Sequence, residues 1–157
     1  MNKIFFALGL TGALTLSVHA QAQPINFTTQ LNNYGGDGAY VALYLTDVNG
    51  KYQKTLWISG KKSKYYKHLR DWARGSGLKA AEYDGISGAS ITSGETFTHT
   101  LEVDDAFIDA GYQLRIDTAV EDMRENRAEI IVPLTRSGAG QVVSGRGYVR
   151  SFTYDLK

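Results

Sequence analysis

A mainly β, antiparallel immunoglobulin-like sandwich with one helical insertion is the fold class that the sequence predicts. Three observations predict it. β-Branched and aromatic runs recur along the chain, Gly/Asn/Asp/Ser signals separate them at a spacing of roughly 8 to 12 residues, and a single segment switches to a helical period. The 157 residues, 43% hydrophobic and 21% charged, suit one domain with a core of its own.

In chain order, Ile25 to Asn32 reads as a first strand, and Ala39 to Thr46 (AYVALYLT) as a strand buried on at least one face. Asn49-Gly50 is the strongest hairpin signal, and Tyr52 to Ser59 returns from it. Ser63 to Arg74 (SKYYKHLRDWAR) is the predicted helix. Tyr65, Leu69 and Trp72 fall at i, i+4 and i+7, Ser63 is placed to cap the start, and Gly75 to end it. A Gly/Ser-rich loop, Tyr83 to Gly94, follows. Glu95–Val103, Tyr112–Glu121, Ala128–Thr135 and Gln141–Leu156 then read as strands, the last with a break at Ser144-Gly145. Pro133 cannot donate to a ladder, which predicts an edge or a bulge for its strand.

The N-terminus has the character of a targeting segment. Lys3 precedes an apolar run from Ile4 to Val18, and small residues offer cleavage after Ala20 or Ala22. Residues 1–22 are therefore expected to be a cleaved signal peptide and 23–157 one periplasmic domain, with no stable membrane insertion after cleavage. Loss of Lys3 leaves 16 basic against 16 acidic residues, which supplies no drive towards nucleic acid. With Cys 0, disulfides, thiolate nucleophiles and cysteine-held metal or haem are excluded.

Charge is segregated along this neutral chain. Lys51 to Lys79 holds nine basic residues and one acid, Asp71, whereas Ala81 to Glu129 holds twelve acids and three arginines. Two solvated faces, or a basic docking face for an anionic group, both answer to this pattern.

Candidate chemistry is sparse. His68 and His99 stand in no metal-binding spacing, so no metal is expected, and structural or surface roles suit them. Asp104-Asp105 with Asp109 lacks the glycine and terminal Glu of a calcium loop and reads as an acidic turn. Ser59-Gly-Lys-Lys62 matches Ser-x-x-Lys without its companion motifs, and Gly138-Ala-Gly140 lacks a third glycine and a following helix. Asp84-Gly-Ile-Ser87-Gly88-Ala89-Ser90 stands out as a small-residue loop that displays a hydroxyl six residues after a carboxylate. The same residues also suit a turn whose Asp and Ser bond their own backbone.

That segment resembles the Asp-x-x-Ser/Thr-Gly-Ala-Thr/Ser signature of bacterial flavin transferases, which join FMN through a phosphoester to the final hydroxyl. The resemblance makes Ser90 the attachment residue and Asp84, Ser87, Gly88 and Ala89 the rest of the signature. From about Phe27 to Leu134 the chain also resembles a family of predicted periplasmic proteins, domain of unknown function 2271. This second resemblance rests on Ala39–Asp47, Gly50-Lys-Tyr52, Thr55-Leu-Trp57, the Tyr65/Leu69/Trp72 segment, Ile86–Ser90 and Ala110–Arg115. That family is associated with PepSY-type membrane redox proteins.

The resemblances imply a periplasmic electron-transfer flavoprotein, a redox carrier more than a substrate-transforming enzyme, that exchanges electrons with such a membrane partner. Trp57, Tyr65, Trp72 and Tyr83 are the candidate stacking aromatics, and Lys61, Lys62 and Lys64 the cations for phosphate or reduced flavin. Tyr65 and Trp72 at helical spacing equally suit a core. The alternative expectation is a cofactor-free immunoglobulin-like binding or assembly module.

Overall fold

The computed structural model describes residues 21–157. Of the expected signal segment, only Gln21 and Ala22 fall within the described residues. Ala22 opens the first strand, paired with Asp104. The Gln21 carbonyl accepts the Asp105 N–H at 2.8 Å.

Strand β1 (Ala22–Leu31) buries every second residue in its second half, Ile25, Phe27, Thr29 and Leu31, the signature of one face turned to a core. It is the centre of a three-stranded sheet, β5 (Thr96–Asp104)–β1–β8 (Val149–Leu156), antiparallel throughout. The second sheet has five strands in the order β4 (Ser87–Gly88), β3 (Tyr52–Ser59), β2 (Tyr40–Thr46), β6 (Gln113–Ala119) and β7 (Asn126–Pro133). One apolar core joins the sheets. Ile25 and Phe27 of β1 and Phe152 of β8 pack with Val41, Leu43 and Leu45 of β2 and Ile116 of β6. The predicted mainly β, two-sheet architecture is thus the observed one. Pro133 lies on β7, at the edge of its sheet.

The apolar run of β2 is buried on both faces. Ala42 and Tyr44 point away from the sandwich into a second core with Ile58, Tyr66, Leu69 and Trp72. A helical insertion covers that outer face, and here the sequence expectation is corrected. The single helix from Ser63 to Arg74 is two pieces, a 3-10 turn over Ser63–His68 and helix α1 over Arg70–Ser76, broken at Leu69 (φ −83°, ψ 75°). Ser63 caps nothing, and Tyr66 rather than Tyr65 is the buried tyrosine of the first piece. The helix ends at Gly77, in a left-handed conformation (φ 63°). Gly75 lies inside it, because a Cβ there would stand 2.4 Å from the Tyr52 Cβ. Close packing of helix on strand, not termination, requires that glycine.

The break at Leu69 follows from what receives α1. Asp117, on β6 and fully buried, accepts the Asp71 and Trp72 N–H groups at 2.8 and 2.9 Å through Oδ2. It thereby caps from the sheet a helix whose own N-cap, Leu69, has no side chain for the task. Asp117 Oδ1 accepts the Tyr44 hydroxyl at 3.0 Å and the Ala128 N–H at 2.8 Å. Burial pushes the Asp117 carboxyl pKa up, against the Trp72 and Ala128 amides and the Tyr44 hydroxyl that hold it down. The charge blocks also meet here. Arg70 and His68 from the basic block pair with Glu125 from the acidic one, and Arg127 of β7 pairs with Asp71, so ion pairs dock the insertion against β7 and the turn before it.

The Asp117→Ala substitution is expected to cost on the order of 3 kcal/mol of stability in urea unfolding, because it leaves the buried Tyr44 hydroxyl and Trp72 amide, and the partly buried Asp71 and Ala128 amides, without an acceptor. Asp117→Asn, which keeps one acceptor oxygen, is expected to lose less. Equal stability of all three proteins would contradict this role.

Candidate functional site

The Gly/Ser-rich loop is not featureless. Ser87-Gly88 forms β4, parallel to the end of β3, with Ile58 opposite Ser87 and Ser59 opposite Gly88. The Ile58 N–H donates to the Ile86 carbonyl at 3.0 Å, and the Gly60 N–H to the Gly88 carbonyl at 2.8 Å. Ile91 then exchanges backbone hydrogen bonds with Ala39, just before β2, at 2.7 and 3.0 Å. Since β4 and β2 flank β3, Ala89 and Ser90 must cross the end of β3, where the chain leaves through Gly60 into Lys61-Lys62. Residues distant in sequence converge at this strand end.

Ser90 is exposed, as are Asp84, Ser87 and Ala89. Among the described residues the Ser90 hydroxyl and the Asp84 carboxylate make no hydrogen bond, whereas nearby Ser93 Oγ accepts the Tyr34 and Gly35 N–H groups at 2.9 and 3.1 Å. The Ser87 side chain faces the Tyr66 phenol, whose pKa burial raises and Ser87 lowers. Glycines keep the loop seated. A Cβ on Gly38 would lie 2.6 Å from Ser90 Oγ, and one on Gly88 2.6 Å from Trp57 Cζ2. Lys61, Lys62 and Lys64 are exposed beside this strand end. Lys64 also places its Nζ 4.8 Å from the centroid of the Tyr65 ring.

The candidate aromatics separate into three environments. Trp57 is half-buried at the sandwich edge, its ring 4.1 Å from that of His99, and its Nε1–H donates to Ser59 Oγ at 3.2 Å. Tyr65 is half-buried on the outer face, edge-to-face with Tyr40 at 5.8 Å. Trp72 has no exposed surface. It lies between Tyr66 and Tyr83, its indole N–H donates to Thr55 Oγ1 at 2.9 Å, and it belongs to the second core. No face of Trp72 is open for stacking, because Leu69 and Trp72 turn inward together beneath the Asp117 cap. Tyr83, half-buried, packs edge-to-face on Tyr66 at 5.1 Å.

Sequence reasoning missed Gly38, Tyr40, Gly60 and the His99 stack. The Tyr40 ring lies over Gly60, where a Cβ would meet it at 2.1 Å. His99 sits between Trp57 and Phe97, with its Nε2 buried and without a partner, and burial lowers its pKa. No sequence spacing announces these contacts, since each depends on strand register across the fold. Among the described residues, no group of three or more His, Asp or Glu side chains gathers in metal-holding geometry, and no helix is long and apolar enough to cross a membrane.

Gly88→Ala is expected to displace the Trp57 indole and cost about 1–2 kcal/mol, read as a lower unfolding midpoint and a shifted tryptophan emission. His99 makes a pH prediction. Its folded pKa lies below the 6.5 of the free side chain, so below that pH the unfolded chain binds a proton that the folded chain resists. Stability should fall as pH drops below 6.5, and His99→Phe, which keeps a ring beside Trp57, should flatten that slope. An unchanged slope would contradict the assignment.

No curated protein and no solved structure matches the chain. The profile of the family described as predicted periplasmic protein (DUF2271) matches residues 22–151, from the first residue of β1 into β8, and includes the entire strand-end site. The chain belongs to the DUF2271 family of predicted periplasmic proteins.

Proposed function

We propose that this protein is a periplasmic electron-transfer flavoprotein, with FMN carried through a phosphoester on Ser90 and a membrane redox protein of PepSY type as its electron partner. The observation that carries the reading is the Ser90 hydroxyl itself. It is exposed, makes no hydrogen bond among the described residues, and stands at a strand end where the missing side chain of Gly38 makes room for the Ser90 side chain itself. Ser90 Oγ would hold the phosphoester. Lys61 and Lys62, which follow Gly60 at the same strand end, would offset the phosphate charge. Exposed Asp84 and Ser87, with Gly88 and Ala89, would present the segment to the flavin transferase in an extended, accessible form. Trp57 and Tyr65 would offer ring surface on either side of the sheet, while Trp72 only supports the insertion from below. When bound, FMN supplies one- and two-electron transfer, and the chain's own contribution is tether, charge and aromatic surface.

The same reading includes export. Cleavage after Ala20 would retain the Gln21 carbonyl that accepts from Asp105 and the Ala22–Asp104 pair, both of which cleavage after Ala22 would remove. Both contacts favour a mature N-terminus at Gln21.

A second reading, a cofactor-free binding or assembly module, is favoured by one feature. A cleft of about 760 Å³ runs along the β7 edge, lined by Arg124, Arg127 and Arg146 together with Ile131, an apolar side chain 48% exposed.

Intact mass of the exported protein, co-produced with a flavin transferase, separates the two. The flavoprotein reading expects a start at Gln21, the added mass of one FMN, and a yellow colour that survives denaturation and is lost in Ser90→Ala. An unmodified mass beside an active transferase would leave the binding-module reading.

A further inference from the structure

We infer that the cleft between the helical insertion and the β6–β7 turn seats a planar, uncharged heteroaromatic ring, the isoalloxazine of the flavin on Ser90; in naming that ligand, the inference rests on the covalent reading above. The cleft, about 320 Å³, is lined by Tyr40, Tyr65, His68, Ala119, Val120 and Met123, together with the carboxylates of Glu121, Asp122 and Glu125. Its size is at the lower end for small-molecule sites. Its chemistry suits a flat π-system, with two tyrosine rings and a thioether on the walls and the small, buried Ala119 and Val120 below.

The walls are held before any ligand arrives. Tyr40 is fixed over Gly60 and edge-to-face with Tyr65. Met123, 41% exposed, is held by a tight turn in which its N–H donates to the Val120 carbonyl at 3.1 Å and Asp122 adopts φ 55°. Gly36 backs the thioether, since a Cβ there would lie 2.6 Å from Met123 Sδ.

Position ties the cleft to Ser90. Gly38, which touches the Ser90 hydroxyl, and Tyr40, which lines the cleft, are two residues apart in extended chain, about 7 Å. Charge gives the direction. Lys61 and Lys62 mark the cationic end beside Ser90, and Lys64 stands over Tyr65 at the wall of the cleft. At the cleft, Glu125 is occupied by Arg70 and His68, whereas Glu121 and Asp122 form no ion pair among the described residues. The exposed carboxylates of Glu121 and Asp122 repel a phosphate and tolerate a neutral ring. An anionic head at the lysines and an uncharged ring at the tyrosines is the polarity of a flavin mononucleotide.

The test uses the Ser90→Ala protein, which has no tether, titrated with free FMN while backbone amide signals are followed by NMR. A short tether supplies an effective concentration of about millimolar, so free FMN at that level is the relevant range. Saturable shifts are expected at Tyr65 and over Ala119 to Met123. Tyr65→Ala and Met123→Ala, both at partly exposed positions, should each weaken binding at least fivefold, while Ile131→Ser on the distant β7 edge should not. Shifts elsewhere, no shifts, or titrations unchanged by both cleft substitutions would overturn the assignment. The mass of the wild-type protein reads the tether separately. An unmodified Ser90 with FMN still bound in the cleft would sink the covalent reading alone, and a modified Ser90 with an indifferent cleft would sink this inference alone.

Discussion

Asp117 sits on a central strand with no exposed surface, and its two oxygens accept hydrogen bonds from the β2 hydroxyl of Tyr44, two amides of α1 and one amide of β7. Burial of a carboxyl group is costly unless its acceptor capacity is filled, and four donors fill it. The insertion depends on this arrangement. A seven-residue helix preceded by a 3-10 turn would not persist alone in water, and its polar backbone end would be unsatisfied against an apolar sheet. With Asp117 in place, Leu69 and Trp72 can bury fully, and the outer face of the five-stranded sheet becomes a second core.

The candidate site inherits its geometry from that second core. Tyr66, buried under the insertion, donates to the Gly60 carbonyl at 2.7 Å, and Gly60 in turn holds Gly88 through its N–H. The residue that ends β3 is thus gripped from the insertion on one side and by the Ser87-Gly88 segment on the other. Ser90 crosses the strand end as the free residue of an otherwise pinned loop, and the lysines leave from the same point. A pinned backbone with a free hydroxyl is suited to modification, since the attacking group is displayed without local unfolding.

Much of this was legible in the sequence. The strand runs, the Asn49-Gly50 turn and the edge position of Pro133 follow from local chemistry, and the observed β3 span matches the expected Tyr52–Ser59. The period of Tyr65, Leu69 and Trp72 located the insertion but not its break, because the acceptor that permits the break is 46 residues away from Asp71. Gly75 looks like a helix terminator in sequence and is a packing glycine in the fold, a difference decided by Tyr52. Likewise the Asp84–Ser90 segment was visible as a small-residue loop. That it pairs with β3, faces Gly38 and adjoins Lys61 depends on a parallel register that no local pattern encodes.

The central claim is chemical and residue-specific, namely that Ser90 carries FMN. Neighbouring hydroxyls give it sharp alternatives. Ser93 is committed to the Tyr34 and Gly35 amides, Ser87 faces Tyr66, and Thr92 lies just past the Ile91 anchor. All four lie in one tryptic peptide, Ala80 to Arg115. Fragmentation mass spectrometry of that peptide, from protein exported beside an active flavin transferase, is the most direct measurement. The account predicts the FMN mass on Ser90 and on no other hydroxyl. Modification at Ser87, Thr92 or Ser93, or a peptide without added mass, would contradict it.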